Sequence, residues 1–309
     1  MKAVRIHEYG GPEVLQYEEA PKPVPNDSEV LIRIHAAAIN PVDWKVRKGY
    51  LKGHIDHAMP LILGWDLSGI VEEAGVAVTR LRPGDEVYSR PDLARDGAYA
   101  EYIVADDSLV ALKPTSIDHI HAAGIPLAGM TAWQALFDVA ALQPGQRVLV
   151  HAAAGGVGSF AVQMAKWKGA FVIGTASARN VDLVRELGAD EVVDYTATQF
   201  ETAVQGVDVV LDTIGGDTQE RSWGVMKPGG ILVSIVSPPS EDAAKEHNVR
   251  SAYHFLDPNA GQLTRIAELV DTGHIRSIVE TVFQLADARN AHEMSETGHA
   301  RGKIVLQVP

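Results

Sequence analysis

The stretch RVLVHAAAGGVGSFAVQMAKW, residues 147–167, joins a β-branched run to an apolar helical run through Gly155, Gly156 and Gly158. A strand that turns this abruptly into a helix lays the helix back along its own sheet, which commits the chain to parallel strands. The next hundred residues keep that rhythm. FVIGTA, EVVDY, VDVVLDT and GGILVSIV are apolar runs of strand length, several of them separated by helical segments, and such alternation reads as parallel strands with crossover helices. After Gly156, the residues Val157, Phe160, Ala161, Met164 and Ala165 recur at i, i+3, i+4, i+7 and i+8, so that stripe packs on the sheet. Gly188 in VDLVRELGAD closes the next helix, where glycine takes left-handed backbone at little cost.

The first third of the chain has a different pattern. VLIRIHAAAI (Val30 to Ile39), GIVEEAG and GDEVYSR are short β-prone runs broken by Pro21, Pro23, Pro25 and the turn Arg82-Pro83-Gly84-Asp85. That is the pattern of a small antiparallel barrel or sandwich. Beyond about residue 255 come a helix from Gln262 to Val270, a strand-like run from Ile278 to Phe283, a helix from Ala286 to Ser295 and a closing strand, KIVLQV. A last strand placed after two isolated helices is expected to return to the first domain. The expected architecture is therefore α/β: a β-rich domain of residues 1–119 and 256–309, interrupted by a parallel-sheet domain of residues 120–255.

Composition narrows the function. The chain of 309 residues is long enough for two domains, and 27 Lys plus Arg stand against 40 Asp plus Glu, a formal charge of -13. That charge repels nucleic acid and anionic lipid. No apolar run reaches the roughly 20 residues of a membrane span, and the opening MKAVRIHEYGG lacks the apolar core of a secretory signal, so a cytoplasmic protein is expected. Cysteine is absent, which removes disulfides, thiolate nucleophiles and thiolate zinc sites together.

Ala153, Gly155, Gly156 and Gly158 read A-x-G-G-x-G, with alanine in place of the first glycine of the dinucleotide fingerprint. Main chain from Ala154 through Gly155, Gly156 and Val157 to Gly158 can approach a pyrophosphate closely, and amides at the helix N-terminus meet its charge. The other reading is a tight turn with no ligand. An NAD site usually has an acid about 20 residues on, to take the ribose hydroxyl. Here the second strand ends GTASARN, with Thr175 at that place and no carboxylate before Asp182. Ser177 and Arg179 suit a 2′-phosphate, so NADP(H) is the expected cofactor, unless Arg179 is only a solvated loop residue.

INPVDWKVRKG, LILGWDLSGIVEEAG, RPGDEVY, LAGMTAWQAL, AAAGGVG and GHARGKIVL, in that order, resemble the medium-chain dehydrogenase/reductase superfamily over essentially the whole chain, and most of all its zinc-independent quinone oxidoreductase branch. The resemblance implies a GroES-like β-rich catalytic domain and a Rossmann-type doubly wound cofactor domain. Zinc-dependent members carry a cysteine where this chain has Asn40, a GHE motif where it has Gly64-Trp65-Asp66, and a second cysteine near Pro126. Asn40, Trp65 and Pro126 do not make a zinc site, and His54-x-x-His57 and His119-x-His121 lack a thiolate or a family counterpart. No metal is expected.

Hydride transfer to a quinone or an α,β-unsaturated carbonyl needs less help than oxidation of an unactivated alcohol, because conjugation spreads the developing charge. That is the expected reaction, with a small-molecule acceptor and NADPH. The two alternatives are an enoyl-thioester reductase and an NADPH-binding protein without turnover, of the crystallin type. The resemblance places the substrate cleft next to the segment after Asn40, where Lys45 and Tyr50 are the available donors; the competing reading makes Lys45 solvated and Tyr50 a packing residue. Asp43 and Arg47, four apart, are expected to pair. Thr131, Tyr195, Ile214, Gly215, Val236, Ser237 and Lys303 are carried over as cofactor contacts, with Asn40 near the nicotinamide. Trp133, Trp167 and Trp223 read as packing. Members of the superfamily often form homodimers by joining cofactor-domain sheets edge to edge, which points to GGILVSIV as the interface strand.

Overall fold

β1 (Lys2–Ile6) and β2 (Gln16–Glu19) pair antiparallel before the chain enters β3 (Glu29–Ile39), the longest strand in the molecule. The computed structural model describes residues 1–309. Helix α1 (Pro41–Arg47) follows, then β4 (Leu61–Ile62), β5 (Leu67–Ala74), β6 (Glu86–Ser89), β7 (Tyr102–Asp106) and β8 (Val110–Leu112). Against β5 the register of β3 slips twice, between Leu31 and Ile32 and between Ile34 and Ala36. Each irregularity bends the strand, and β3 is long enough to pair with β7 over residues 29–33 as well. Short helices α2 (His119–Ala123) and α3 (Pro126–Trp133) come next. Ala36 and Ala38 of β3 pack against Ala123 of α2; side chains this small let the helix lie close on the sheet.

The middle of the chain alternates as its sequence rhythm implies. It runs β9 (Arg147–Val150), α4 (Gly156–Trp167), β10 (Phe171–Ala176), α5 (Val181–Glu186), β11 (Glu191–Asp194) and α6 (Phe200–Ala203). It continues through β12 (Val207–Asp212), α7 (Gly216–Ser222), β13 (Met226–Ser234), α8 (Glu241–Glu246) and β14 (Arg250–Tyr253). The six strands are parallel, in the order β11-β10-β9-β12-β13-β14. The chain builds outward from β9 on one side, returns to the centre, and builds outward on the other. This is the doubly wound order whose switch point, between β9 and β12, opens a crevice at the strand C-termini. Gly188 has φ +105° just past α5, the left-handed conformation expected of it.

α9 (Ala260–Asp271), β15 (Val279–Gln284), α10 (Ala288–Glu296) and β16 (Lys303–Gln307) close the chain. β16 pairs antiparallel with β3, so the final strand does return to the first domain, in a seven-stranded sheet ordered β15-β16-β3-β5-β6-β8 with β7 on β3. The chain divides into one compact unit of residues 1–127, 258–273 and 277–309, and a second of residues 128–257 and 274–276. The first has its own core, with Trp65, Tyr99 and Leu67 fully enclosed; Leu149, Val210 and Trp223 lie in the core of the second.

Two expectations need correcting. GGILVSIV is not an edge: β13 is hydrogen-bonded to β12 on one side and β14 on the other. The free edges belong to β14 and β11; RSAY, the sequence of β14, is too short and polar to stand out as a strand. Trp133 and Phe137 pack edge to face at 4.9 Å and Trp223 is buried, but Trp167 is 41% exposed beside that pair.

Candidate active site

In the second unit the loop between β9 and α4 is shaped by main chain. Ala152 has φ +45°, a conformation that a side chain tolerates poorly. It is held there from both directions: its N–H donates to Thr175 Oγ1 at 3.2 Å, and its carbonyl accepts from Gly155 N at 2.8 Å. A Cβ at Gly158 would stand 2.2 Å from Ala152 O, and one at Gly155 3.2 Å from the same atom. Gly155 is the N-cap of the twelve-residue α4, and no side chain caps the helix. The amides of Gly156, Val157 and Gly158 are therefore open to an anion, with the helix dipole behind them. Bare main chain against an uncapped helix fits a dinucleotide pyrophosphate.

Side chains below the loop hold it rigid. His151 is buried, with Nε2 2.9 Å from Ser222 Oγ and Nδ1 3.3 Å from Thr175 Oγ1. Ser222 Oγ donates onward to Thr218 O, so Nε2–H is the donor and Nδ1 the bare nitrogen of a neutral ring. Burial pulls the pKa of His151 down to about 4. The folded protein thus refuses a proton that the unfolded chain takes up below about pH 6.5, and stability from His151 falls as pH drops through that value, levelling off near pH 4. His151→Gln is expected to flatten the slope of unfolding free energy against pH by about 1.4 kcal/mol per unit, one proton, between pH 6 and 4.5. Denaturant titrations at several pH values measure it; equal slopes would contradict the assignment.

Other residues named from sequence gather at the C-terminal ends of the same strands. Thr175 is buried and its hydroxyl braces Ala152. Ser177 opens the single turn of residues 178–180 that carries the exposed Arg179, and Tyr195, 52% exposed, hydrogen-bonds through its N–H to Ala176 O. After β12, Ile214 and Gly215 both donate their amides to Oδ1 of the buried Asp212, whose Oδ2 accepts from Gln219 Nε2 and Ser234 Oγ. A Cβ on Gly215, which has φ +77°, would meet Ser237 Oγ at 3.2 Å and Val236 Cγ1 at 3.5 Å; the loops after β12 and β13 therefore abut. Thr131 is buried on α3. Sequence reasoning passed over Gly174, where a Cβ would lie 2.8 Å from Ala153 Cβ. A glycine inside the strand run FVIGTA was its signal.

In the first unit, Asn40 and Lys303 come together around a residue that sequence reasoning used only as a zinc-motif departure. Asn40 Nδ2 donates to Asp66 Oδ2 at 2.8 Å, while Lys303 Nζ donates to Asn40 Oδ1 and to Ile39 O and lies 3.6 Å from Asp66 Oδ2. All three are buried. Burial raises the pKa of Asp66 to about 6, against the pull of Lys303 and the hydrogen bonds from Asn40 and Leu127 N. Asp43 accepts from Asn40 N and from Tyr99 Oη, each at 2.7 Å, and burial takes it up to about 7. Behind it, His292 Nδ1 is 2.9 Å from Arg47 Nη1 and His292 Nε2 3.3 Å from Tyr99 Oη. Arg47 also binds Glu296 on α10.

Asp43 and Arg47 consequently do not pair with each other, contrary to the i, i+4 expectation. Both are enclosed; Asp43 is taken by the N-cap amide of Asn40 and by Tyr99, and Arg47 by His292 and Glu296. Lys45 and Tyr50 stand apart from the Asn40 group. Lys45 is half-buried, 5.8 Å from the Trp44 ring, and Tyr50 is 64% exposed beyond α1. At the positions where zinc-dependent relatives carry ligands, Asn40 is bound as described, Trp65 Nε1 donates to Arg95 O at 3.1 Å, and Pro126 opens α3. His57 contacts Leu93 O, His119 contacts Ser68 and Glu86, and His121 contacts Asp118. No three His, Asp or Glu side chains converge as a metal site.

Residues 26–115 match the family model described as an alcohol dehydrogenase GroES-like domain, and residues 187–306 match the one described as zinc-binding dehydrogenase. A mitochondrial NAD(P)H oxidoreductase, RTN4IP1, of Danio rerio is 35% identical over 100% of this chain and 91% of its own length. A chloroplastic NADPH-dependent alkenal/one oxidoreductase of Arabidopsis thaliana is 36% identical over 99% of this chain and 79% of its own. The solved quinone oxidoreductase of Coxiella burnetii superposes with a TM-score of 0.93 at 36% identity, covering 100% of this chain and 99% of that one. No helix here is long and apolar enough to cross a membrane.

Proposed function

This chain belongs to the medium-chain dehydrogenases/reductases, in the quinone oxidoreductase-type branch, and from that premise we propose that it reduces a quinone or an α,β-unsaturated carbonyl with NADPH and without zinc. The observation that carries the reading is the loop of residues 152–158, where main chain closes on main chain and α4 presents uncapped amides. A Cβ at Gly158 would press on the backbone of Ala152 and Ala153 and force the loop off the helix. NADPH, when bound, supplies the hydride. The chain's own residues bind it, orient the acceptor and exclude water.

The zinc-free half of the reading rests on residue chemistry. An amide, an indole and an imino ring at Asn40, Trp65 and Pro126 offer none of the thiolate and imidazole donors of a catalytic zinc site, and a conjugated acceptor does not need a Lewis acid to hold a localised alkoxide. Lys45 and Tyr50, both reached by solvent, are the proposed sources of the proton that completes reduction. Asn40, Lys303 and Thr131 are proposed to border the nicotinamide, with Ile214, Gly215, Val236 and Ser237. Tyr195, Ser177 and Arg179 are proposed at the adenosine end. A cytoplasmic location and a homodimer joined through the free edge of β14 belong to the same reading.

For NADP(H) over NAD(H), the argument is the end of β10: Ala176, Ser177 and Arg179 supply no carboxylate to repel a 2′-phosphate and one guanidinium to hold it. Arg179→Ala is expected to raise KM for NADPH by about tenfold, the loss of one charge-assisted hydrogen bond, and to leave KM for NADH unchanged. Equal effects on the two cofactors would remove Arg179 from this role. The reaction itself is tested by following NADPH oxidation with a benzoquinone, an enone and an acyl-thioester. Turnover with the first two supports the proposal; turnover with the thioester alone makes the protein an enoyl-thioester reductase, and tight binding without turnover makes it a silent binder.

A further inference from the structure

At one end of the seven-stranded sheet, four neighbouring strands end in a polar row. Ile304 pairs with Ile39, Ala37 with Leu67, and Leu67 with Ser89. Immediately beyond these pairs along the chain come Lys303, Asn40, Asp66 and Arg90. The first three satisfy one another, as described. Arg90 is different: it is 3% exposed, and its single hydrogen bond runs from Nη1 to the O of its own neighbour, Pro91, at 2.8 Å. Its Nε is enclosed without any partner. A guanidinium carries five N–H donors in a planar fork, and enclosed donors are rarely left unmet in a folded protein. Asp66 and Asp43 act on it through space only. The row therefore ends in a cationic fork with donors to spare, beside the residues proposed to border the nicotinamide.

Neutral enones and quinones lack charge, yet their reduction creates it. When hydride arrives at the β-carbon, the C=C π bond breaks, its electron pair moves to form a new C=C with the carbonyl carbon, and the carbonyl pair goes to oxygen as an enolate. NADPH is oxidised to NADP⁺, and a proton, for which Lys45 and Tyr50 are the proposed sources, later enters at the α-carbon. Fixed donors at the oxygen lower the barrier most because they need no reorganisation as charge appears.

We propose that Arg90 is the residue that binds the acceptor's carbonyl oxygen and stabilises the enolate formed there, an assignment that rests on the reductase reading. Arg90 is thereby a catalytic residue, with Lys303 and Asn40 fixing the other end of the row. The planar fork suits a carbonyl or enolate oxygen better than a lysine ammonium would.

The test uses Arg90→Met and Arg90→Lys in the full chain, with 4-nitrophenolate as a non-reacting oxyanion read by its absorbance. Arg90→Met is expected to weaken nitrophenolate binding at least tenfold and lower kcat with an enone about 100-fold. NADPH affinity, by fluorescence titration, stays within about twofold. Arg90→Lys keeps the charge and loses the fork, so a roughly tenfold lower kcat is expected; it serves also if the methionine variant does not fold. Nitrophenolate affinity and kcat both within about twofold of the parent, whether or not the melting temperature drops, would overturn the proposal and leave Arg90 as a counter-charge for Asp66. If the parent protein binds nitrophenolate through Arg90 but oxidises no NADPH with any acceptor, the oxyanion site stands and the reductase reading fails.

Discussion

Gly158→Ala is expected to weaken NADPH binding by at least 100-fold. The added Cβ would lie 2.2 Å from Ala152 O and 2.9 Å from Ala153 Cα, and both are backbone atoms that cannot swing away. Either the loop moves off α4 or the helix shifts against β9, and both displace the amides that face the ligand. Overpacking of this kind also costs about 1–3 kcal/mol of stability. Gly155→Ala provides the comparison. Its Cβ would meet Ala152 O at 3.2 Å, in an extended backbone with φ -80° that any residue adopts, so a loss of about fivefold or less is expected. Fluorescence titration with NADPH ranks the two; equal effects would mean that loop closure is not what shapes the cradle.

Lys303→Met is expected to destabilise the protein by about 3–5 kcal/mol, the usual result of leaving one member of a buried ion pair behind. Asp66 is fully enclosed, and Lys303 is the ammonium that faces it. Without that cation the carboxyl, already raised to about 6, moves higher still and takes up a proton near neutrality, which bounds the loss. Asn40 loses the donor to its Oδ1 at the same time. Adding Asp66→Asn to Lys303→Met removes the orphaned charge, and the double variant is expected to be more stable than Lys303→Met alone by about 1–2 kcal/mol. Urea unfolding of the parent, both single variants and the double variant measures the coupling. Additive losses would show that Asp66 and Lys303 do not sense each other.

These effects differ in how far they were legible beforehand. Gly155, Gly156 and Gly158 announce themselves because a strand, a turn and a helix adjacent in sequence contain the whole argument. Gly174 belongs to the same cradle, but its role appears only when β10 lies beside the loop. The alternation from β9 to β13 is readable as apolar runs; RSAY of β14 is not, so that GGILVSIV reads as the sheet edge although β14 pairs beyond it. Asp43 and Arg47 show the limit of helix-spacing rules. The rule for i, i+4 pairs describes an exposed helix face, whereas both residues of α1 are enclosed and answer to Tyr99, His292 and Glu296. Lys45 and Tyr50 stand out by side-chain type close to Asn40 in sequence. The side chain of Asn40 is met instead by Lys303 of β16 and by Asp66, the residue before β5, and such pairings are set by sheet register, which no local pattern reveals.

On the proposed function, a diphosphate lies on the main chain between β9 and α4, and reducing equivalents leave its dinucleotide without a metal. The most direct measurement is the rate of NADPH oxidation by a benzoquinone after exhaustive dialysis against a chelator, with chelator kept in the assay. An unchanged rate that Gly158→Ala abolishes is the predicted result. A rate that vanishes on chelation and returns with added zinc would contradict it.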